Sequence, residues 1–464
     1  MLSCGDAGRE TVEGILKEIS GGKRSKIHFV GIGGVSVCSL ARLSIERGAQ
    51  VSGSDIEDIP RIRELRLLGA EISIGHTPNN VIGADLVVYS HAAVSDNPEL
   101  AEARRLLIPT VNRAEYLGAL MIDYGRRIGV SGSHGKSTAT AMLDCIFSRA
   151  GLLPTTLSGS ELTIGSPYRI GGREHLIYEA CEYCDSFLSF LPTDFVALNL
   201  ELDHTDYFEN MDALISSFTE AMSHPDLRVY INGDDTNLRG IAENIGISPV
   251  TFGCGEENDY RFSISSFCES GMEISLCRFG TEVGSFRLNI PGVFNLNNAA
   301  AAITVALEYG IDRRLTFDAI ESFAGIPRRL QYIGRRYGRP VYYDYAHHPT
   351  EIRAGINAIR ELTLLPVTVI FKPHTFSRTK DMWREFIAAL SLADYPILTD
   401  IFAARESAIE GISSELLAKD IGGRAKYCSN DNIFDYLDLY TEGAIVLMGA
   451  GDFKEIKNDI VKGY

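Results

Sequence analysis

No stretch of this 464-residue chain approaches the ~18–20 consecutive apolar residues of a membrane span, so an integral membrane protein is not the reading. Met1 to Lys26 mixes charge and glycine without an apolar core, which is not the make-up of a signal peptide, and the expected location is cytoplasmic. A basic excess is missing too. The 44 Lys and Arg stand against 61 Asp and Glu, a net charge of −17, which argues against a nucleic-acid or anionic-membrane surface and leaves any anionic ligand to local clusters. Nor is there a disulfide framework: nine Cys, an odd number, fall mostly within predicted strands and helices and read as reduced thiols. Cys181-Glu-Tyr-Cys184 has no second Cys or His pair at zinc spacing, and solenoid repeats, coiled-coil heptads and low-complexity segments are absent.

What is present is organised around Ile128-Gly-Val-Ser-Gly-Ser-His-Gly-Lys-Ser-Thr138. An apolar run ends in a glycine-rich turn, and Lys136 opens a predicted helix with Ala139, Met142, Leu143, Ile146 and Phe147 on one face. Gly132 and Gly135 let the backbone N–H groups of Gly132, Ser133, His134 and Gly135 converge on phosphate oxygens. Lys136 reaches the outer phosphates, and a hydroxyl of Ser137 or Thr138 suits Mg²⁺. Val130 stands where the eight-residue signature has Gly, so this is a shorter Gly-x-x-Gly-Lys-Ser form of the ATP loop.

Upstream, Lys26–Gly31 reads as a buried strand running into Gly31-Ile-Gly-Gly34, then a helix, then a strand ending at Ser54-Asp55. This is a βαβ unit with a dinucleotide-type loop, although Ser36 replaces its last glycine; a nucleotide-sugar diphosphate fits it as well as a nicotinamide cofactor does. Strands at Glu71–Ile74, Ala84–Ser90 and Ile108–Val111 complete that unit, with Asp123-Tyr-Gly-Arg as a polar linker. The second unit carries strands at His175–Glu179, Phe195–Leu200, Arg228–Asn232 and Pro249–Gly253. Three alternating runs between Arg261 and Asn289, read as an antiparallel meander, and a helix from Asn295 to Tyr309 follow. The third unit alternates helices with strands at Val341–Tyr345, Val367–Phe371, Tyr395–Leu398 and Ala444–Met448. The fold class is α/β in three domains, residues 1–122, 123–325 and 326–464. The first and last are Rossmann-like; the central one is a P-loop ATPase-type, mainly parallel sheet with the meander added.

Two acidic stretches, Glu179-Ala-Cys-Glu-Tyr-Cys-Asp185 and Asn199-Leu-Glu-Leu-Asp-His-Thr-Asp206, follow predicted strands at the end where open α/β sheets place ligands. Glu182 and His204 are suited to Mg²⁺ bridging ATP and a second substrate; solvated loop acids are the plain alternative. Asn295 and Asn298 suit an adenine edge, or a helix cap and its neighbour. Pro327-Arg-Arg329 is a local phosphate-binding cluster, and Tyr343-Asp-Tyr-Ala-His-His348 with His374 and Arg378 suits an anionic substrate. Adjacent His347 and His348 point different ways in regular structure, against a two-His metal site.

The ordered motifs Phe29–Gly34, Val51–Asp55, Gly132–Ser137, Asp203–Asp206, Asp344–Glu351, Pro373–Thr379 and Gly449–Asp452 resemble those of the Mur ligase family from about Lys26 to Asp452. The double-His stretch and the Gly-Ile-Gly-Gly loop favour its alanine-adding branch. The resemblance implies an ATP-dependent amide ligase joining L-alanine to UDP-N-acetylmuramate through an acyl phosphate, a monomer or homodimer with Mg²⁺ as cofactor and small-molecule partners only. It assigns Gly31, Gly33, Gly34, Asp55 and His76 to the UDP-sugar. It assigns Gly132 to Thr138, Asn295, Asn298, Arg328 and Asp344 to ATP, and Ser137, Glu182 and His204 to the metal. Tyr345, His347, His374 and Arg378 fall to the amino-acid side, with Lys136, Glu182, His204 and His347 as the catalytic set and His204 or His347 taking the amine proton. The chain departs from the family pattern at Cys181 and Cys184, where acids are common, at Phe294, commonly His, and at Thr375, commonly Arg. Alternative readings are a relative that attaches a recycled peptide to the same nucleotide sugar, a nicotinamide-dependent dehydrogenase, and a catalytically idle nucleotide-sugar binder.

Overall fold

The structure, a computed structural model, describes residues 4–20, 22, 24–90, 93, 96–204, 207–268, 271–404, 406–429, 432–437, 442–450, 453 and 459–461. Thr205, Asp206, Gly451 and Asp452 of the quoted motifs lie outside them. The chain divides into two compact units, residues 1–259 with 301–316, and residues 260–300 with 317–464.

The first unit opens with α1 (Cys4–Ser20), in the stretch whose sequence showed only the lack of an apolar core. Val12, Leu16 and Ile19, spaced for one helical face, are buried. Five strands follow: β1 (Lys26–Val30), β2 (Gln50–Asp55), β3 (Glu71–Ile74), β4 (Leu86–Tyr89) and β5 (Thr110–Asn112). They form a parallel sheet of order β3-β2-β1-β4-β5. The helices α2 (Val35–Glu46), α3 (Pro60–Leu67) and α4 (Pro98–Arg105) lie between them, and α5 (Arg113–Met121) follows β5. Strand order reverses at β1, which puts a ligand crevice at the carboxyl ends of β1, β2 and β4. The segment read as a polar linker is packed: Tyr124 is buried and Asp123 pairs with Arg47 at 2.8 Å.

The second sheet of this unit contains β6 (Arg126–Ser131), β7 (Thr155–Leu157), β8 (Tyr168–Arg169), β9 (His175–Glu179), β10 (Asp194–Ala197), β11 (Arg228–Asn232) and β12 (Val250–Gly253). They lie in the order β12-β11-β10-β6-β9-β7-β8, parallel except for β7 against β8. β6 is central, flanked by the two strands whose carboxyl ends carry the acidic stretches. Behind it α6 (Lys136–Arg149) is buried on more than the predicted face, Thr138, Thr140 and Asp144 included. Asp144 is neutralised by Arg169 at 2.8 and 2.9 Å and accepts a hydrogen bond from the Thr156 hydroxyl at 2.7 Å. α7 (Met211–Ser223) and α8 (Thr236–Ile245) complete this part.

In the second unit, β13 (Tyr260–Cys268), β14 (Gly271–Arg278) and β15 (Thr281–Leu288) form the expected antiparallel meander. The division between units passes through α9 (Val293–Glu308) and α10 (Arg313–Glu321). The last sheet holds β16 (Gln331–Arg336), β17 (Arg339–Asp344), β18 (Val367–Phe371), β19 (Tyr395–Leu398), β20 (Lys426–Tyr427) and β21 (Ala444–Met448), in the order β16-β17-β21-β18-β19-β20. Its pairs are parallel except for the β16–β17 hairpin, which the sequence reading missed. α11 (Pro349–Leu362), α12 (Phe376–Asp381) and α13 (Trp383–Leu390) connect these strands. Asp344 ends β17, and Gly449 and His374 follow the neighbouring strands β21 and β18, so the carboxyl end of this sheet gathers them. No helix among the described residues is long and apolar enough to cross a membrane.

Candidate functional site

β6 feeds the loop 132–135, whose path depends on two glycines. Gly132 has φ +134°, and a Cβ there would lie 3.0 Å from Leu198 Cβ and 3.1 Å from the Asn199 nitrogen. Gly135, at φ +89°, is the N-cap of α6. The segment after β10 pins the loop. His134 N–H donates to Asn199 Oδ1 and Asn199 Nδ2 donates to the His134 carbonyl, both at 2.9 Å. Ser133 Oγ donates to the Glu201 carbonyl at 2.6 Å and accepts from the Glu201 N–H at 2.9 Å. His134 Nε2 stands 3.0 Å from Glu201 Oε2.

Lys136 folds back over the loop. Its ammonium donates to the Gly132 carbonyl at 2.6 Å and to both oxygens of Glu182 at 3.0 and 2.9 Å. Glu182 is 1% exposed, and a carboxylate that deep must have a cation beside it. Burial by itself lowers the Lys136 ammonium, but Glu182, with Cys181 and Glu179 adding, raises it above the ordinary lysine range. His204, at φ +53°, brings Nε2 to 3.7 Å from Glu182 Oε1, with its ring 4.7 Å from that of Tyr183. Lys136, Glu182 and His204 are thus one cluster. Ser137 Oγ accepts from the Ser160 hydroxyl at 3.2 Å, and Thr138 is buried. A carboxylate, a hydroxyl and one imidazole suit a hard divalent cation. Cys181 does not join such a set: burial, then Glu182, pushes its thiol up against the opposing effect of Lys136. Cys181 and Cys184 are free thiols, as are Cys38, Cys145, Cys254, Cys277 and Cys428.

At the first sheet, Gly31 takes φ +74°, and the N–H groups of Gly31 and Ile32 donate to the Ser54 carbonyl at 2.9 and 3.0 Å. Gly33 N–H donates to Asp55 Oδ2 at 2.8 Å, Arg61 donates to the Gly33 carbonyl through Nε and Nη2 at 3.2 and 3.1 Å, and Gly34 caps α2. Asp55 therefore braces the glycine loop itself. His76 Nδ1 lies 3.0 Å from Ser54 Oγ and 3.2 Å from Glu99 Oε2. Glu99 is fully buried, and sequence reasoning missed it. Burial raises its carboxyl, yet His28, followed by the hydrogen bonds from Ser54 and Asn80, outweighs that and holds it at about 2.

In the second unit, Asn295 Nδ2 donates to the Pro291 carbonyl at 2.7 Å and Asn298 Nδ2 to Asn295 Oδ1 at 3.2 Å, both side chains being buried at the start of α9. Arg328, at φ +62°, lays its guanidinium over the rings of Tyr345 (4.6 Å) and Tyr343 (5.2 Å) and donates to the Ala450 carbonyl at 3.1 Å. Beside it Asp344 is buried at the end of β17. Burial pushes its carboxyl up to about 6; Arg329 opposes this and Glu351 adds to it. Tyr345, His347 and His374 form a chain of rings with centroid separations of 5.2 and 5.8 Å. His374 is held below the ordinary histidine range by burial and then by Arg378, with Glu406 opposing. As expected, His348 turns away from His347: its Nδ1 accepts the Thr350 N–H at 3.3 Å and caps α11. Thr375 caps α12 by accepting the Arg378 N–H at 3.4 Å. Two further residues here carried no sequence signal. Glu406 accepts the N–H groups of Phe376 and Ser377 at 2.7 and 2.9 Å, and Phe402 stacks on His374 at 5.8 Å.

The profile described as "Mur ligase family, catalytic domain" matches residues 26–124, "Mur ligase middle domain" residues 130–306, and "Mur ligase, glutamate ligase domain" residues 328–451. The chain is 40% identical over 449 residues to a UDP-N-acetylmuramate–L-alanine ligase of Caldanaerobacter subterraneus subsp. tengcongensis, covering 95% of this chain and 98% of the relative. It is 38% identical to the protein of that name from Caldicellulosiruptor bescii, covering 94% and 98%. Among solved structures it is similar to the UDP-N-acetylmuramate-alanine ligase MurC of Thermotoga maritima, with a TM-score of 0.80 and 27% identity over 94% of this chain and 98% of the other. A murein peptide ligase from Psychrobacter arcticus, at 22% identity and a TM-score of 0.68, shares the fold. With three matched profiles between residues 26 and 451 and relatives near 40% identity along almost its whole length, this chain belongs to the Mur ligase family.

Proposed function

We infer that this protein is an ATP-dependent ligase that joins L-alanine to UDP-N-acetylmuramate, the first addition to the peptidoglycan stem peptide. The observation that carries this reading is the 40% identity, over 95% of the chain, to a ligase of that name. Residues 1–122 are assigned to the UDP-sugar through Gly31, Gly33, Gly34, Asp55 and His76. Residues 123–325 are assigned to ATP through the loop 132–138 with Asn295 and Asn298, and residues 326–464 to the amino acid through Tyr345, His347, His374 and Arg378. Arg328 and Asp344 act on ATP.

The chemistry answers a physical difficulty: at neutral pH a carboxylate and an ammonium form a salt, not an amide. The muramoyl carboxylate attacks the γ-phosphorus of ATP, the bond from that phosphorus to the β-phosphate oxygen breaks, and an acyl phosphate and ADP result. The neutral amine of alanine adds to the acyl carbon, loses a proton to a base, and the tetrahedral intermediate expels inorganic phosphate. In this account the loop N–H groups and Lys136 hold the triphosphate. Glu182, now paired with Lys136, becomes available to a cation once the ammonium turns to phosphate. Mg²⁺, held by Ser137, Glu182 and His204, would neutralise charge on the phosphate oxygens. His374, kept neutral by burial and Arg378, suits contact with an amine rather than with a phosphate.

The acyl phosphate makes a direct test available. UDP-N-acetylmuramate labelled with ¹⁸O in its carboxylate must deliver one ¹⁸O to the released phosphate, because the carboxylate oxygen stays bonded to phosphorus when the amide forms. Unlabelled phosphate, with amide formed, overturns the mechanism.

A further inference from the structure

Beneath the nucleotide-sugar loop lies a buried polar network of which the assignments above use only His76. Glu99 follows Pro98 in the first turn of α4, where the helix N-terminus favours a negative charge, and Asn97 caps that helix by accepting the Glu99 N–H at 2.9 Å. Its carboxylate, 0% exposed, accepts the Ser54 hydroxyl at 2.6 Å and the Asn80 amide at 2.5 Å. Asn80 donates to Oε1; His76 Nδ1 lies 3.2 Å from Oε2, the oxygen that accepts from Ser54, and 3.0 Å from Ser54 Oγ. His28, fully buried on β1, holds Nδ1 at 3.0 Å from Ser52 Oγ and Nε2 at 3.6 Å from Glu99.

The proton count decides the form of His76. Ser54 has one hydroxyl proton, which goes to Glu99, so at Nδ1 the imidazole meets two acceptors: the Ser54 lone pair and the carboxylate. Nδ1 must therefore carry hydrogen. Neutral His76 is fixed as the Nδ1–H tautomer, which leaves Nε2 of this partly exposed side chain as a lone-pair acceptor.

We propose that Glu99 is the positioning residue of the nucleotide-sugar site, holding His76 as the Nδ1–H tautomer so that Nε2 accepts a hydrogen bond from a hydroxyl or imide N–H of the nucleotide. This rests on the assignment of His76 to the UDP-sugar. It makes His76 a reader of donor groups on the uridine side rather than a cation for the diphosphate.

The test is the side-chain ¹⁵N spectrum of His76 in the full-length protein, read with the dissociation constant for UDP-N-acetylmuramate. The wild type should show the Nδ1–H pattern, and Glu99→Gln, which offers an amide N–H in place of an oxygen, should turn it towards Nε2–H. Its dissociation constant should rise about tenfold, the loss of one good hydrogen bond. His76→Ala should weaken binding similarly, and adding Glu99→Gln to it should weaken binding no further. N3-methyl and 2′-deoxy forms of UDP separate the donors, since the form lacking the recognised group should bind wild type weakly and His76→Ala no worse. An Nε2–H pattern in the wild type overturns the proposal even if Glu99→Gln does not fold. Unchanged affinity in Glu99→Gln, or additive losses in the double variant, also overturns it. A wild type that does not bind UDP-N-acetylmuramate refutes the site assignment beneath it instead.

Discussion

Replacing Asp344 by Asn should make the second unit more stable at neutral pH and less so, relative to wild type, in acid. The Asp344 carboxyl is raised from 3.8 to about 6 by burial. Each pKa unit corresponds to about 1.4 kcal/mol, so ionising this group in the folded protein costs about 3 kcal/mol. The folded state binds the proton more tightly than the unfolded one. The residue's contribution is therefore most favourable below pH 4 and is lost as pH rises through about 6. Asn cannot ionise and escapes that loss, and its carbonyl can still accept the Ala346 N–H now 3.1 Å from Asp344 Oδ1. Its NH₂ group, buried and turned to the Leu330 N–H that the carboxylate now accepts, costs on the order of 1 kcal/mol. The variant should be about 2 kcal/mol more stable at pH 7.5 and about half a kcal/mol less stable at pH 4, where part of the unfolded-state Asp is already ionised. Trp383, the chain's one tryptophan, packs against the core that contains Leu330 and Ala346 on either side of Asp344, so its fluorescence in urea reports the right unit. A gap between variant and wild type that does not change from pH 4 to 7.5 would refute the reasoning. The same variant should lose most of its ligase activity, since a destabilising charge is kept at a site for function.

Lys136→Ala should lower ATP-dependent phosphate release by on the order of 10³-fold and leave Glu182 buried without a cation, a loss of about 3–5 kcal/mol. The double variant with Glu182→Gln should regain most of that stability in a thermal melt while staying inactive; full turnover in Lys136→Ala would remove the phosphate-loop assignment. Gly132→Ala forces a Cβ against Leu198 and the Asn199 backbone at φ +134°, a strain of about 1–3 kcal/mol. It should therefore raise KM for ATP at least tenfold in steady-state kinetics, while leaving the affinity for UDP-N-acetylmuramate unchanged in calorimetry.

The fold was legible where local pattern and burial agree. The apolar runs at 175–179, 228–232, 367–371 and 395–398 are strands with those very bounds, because parallel strands covered on both faces must be continuously apolar. α1 was not legible as a fold element, since its apolar positions 12, 16 and 19 are diluted by charge that becomes the solvent face. The hairpin partner β16 was hidden because Gln331–Arg336 is edge-like and polar, and its pairing comes from the adjacent β17. Of the site, the loop 132–138 could be read because its chemistry is local. That Lys136, Glu182 and His204 form one cluster could be suspected from the strand ends that carry them but not measured. Glu99 shows the limit: Asn97-Pro-Glu99 reads as a helix cap with an acid in the first turn, and that is what it is. Its further partners Ser54, His76 and Asn80 are 19 to 45 positions away, brought to it only by the sheet.

The most direct test of the central claim is phosphate release from ATP and Mg²⁺, with UDP-N-acetylmuramate and each candidate amino acid supplied in turn and each component omitted in turn. Release that requires all three substrates, is greatest with L-alanine and is matched by formation of the alanyl nucleotide sugar is the predicted result. Release with a murein tripeptide but with no free amino acid, or none under any combination despite tight binding of the nucleotide sugar, would contradict it.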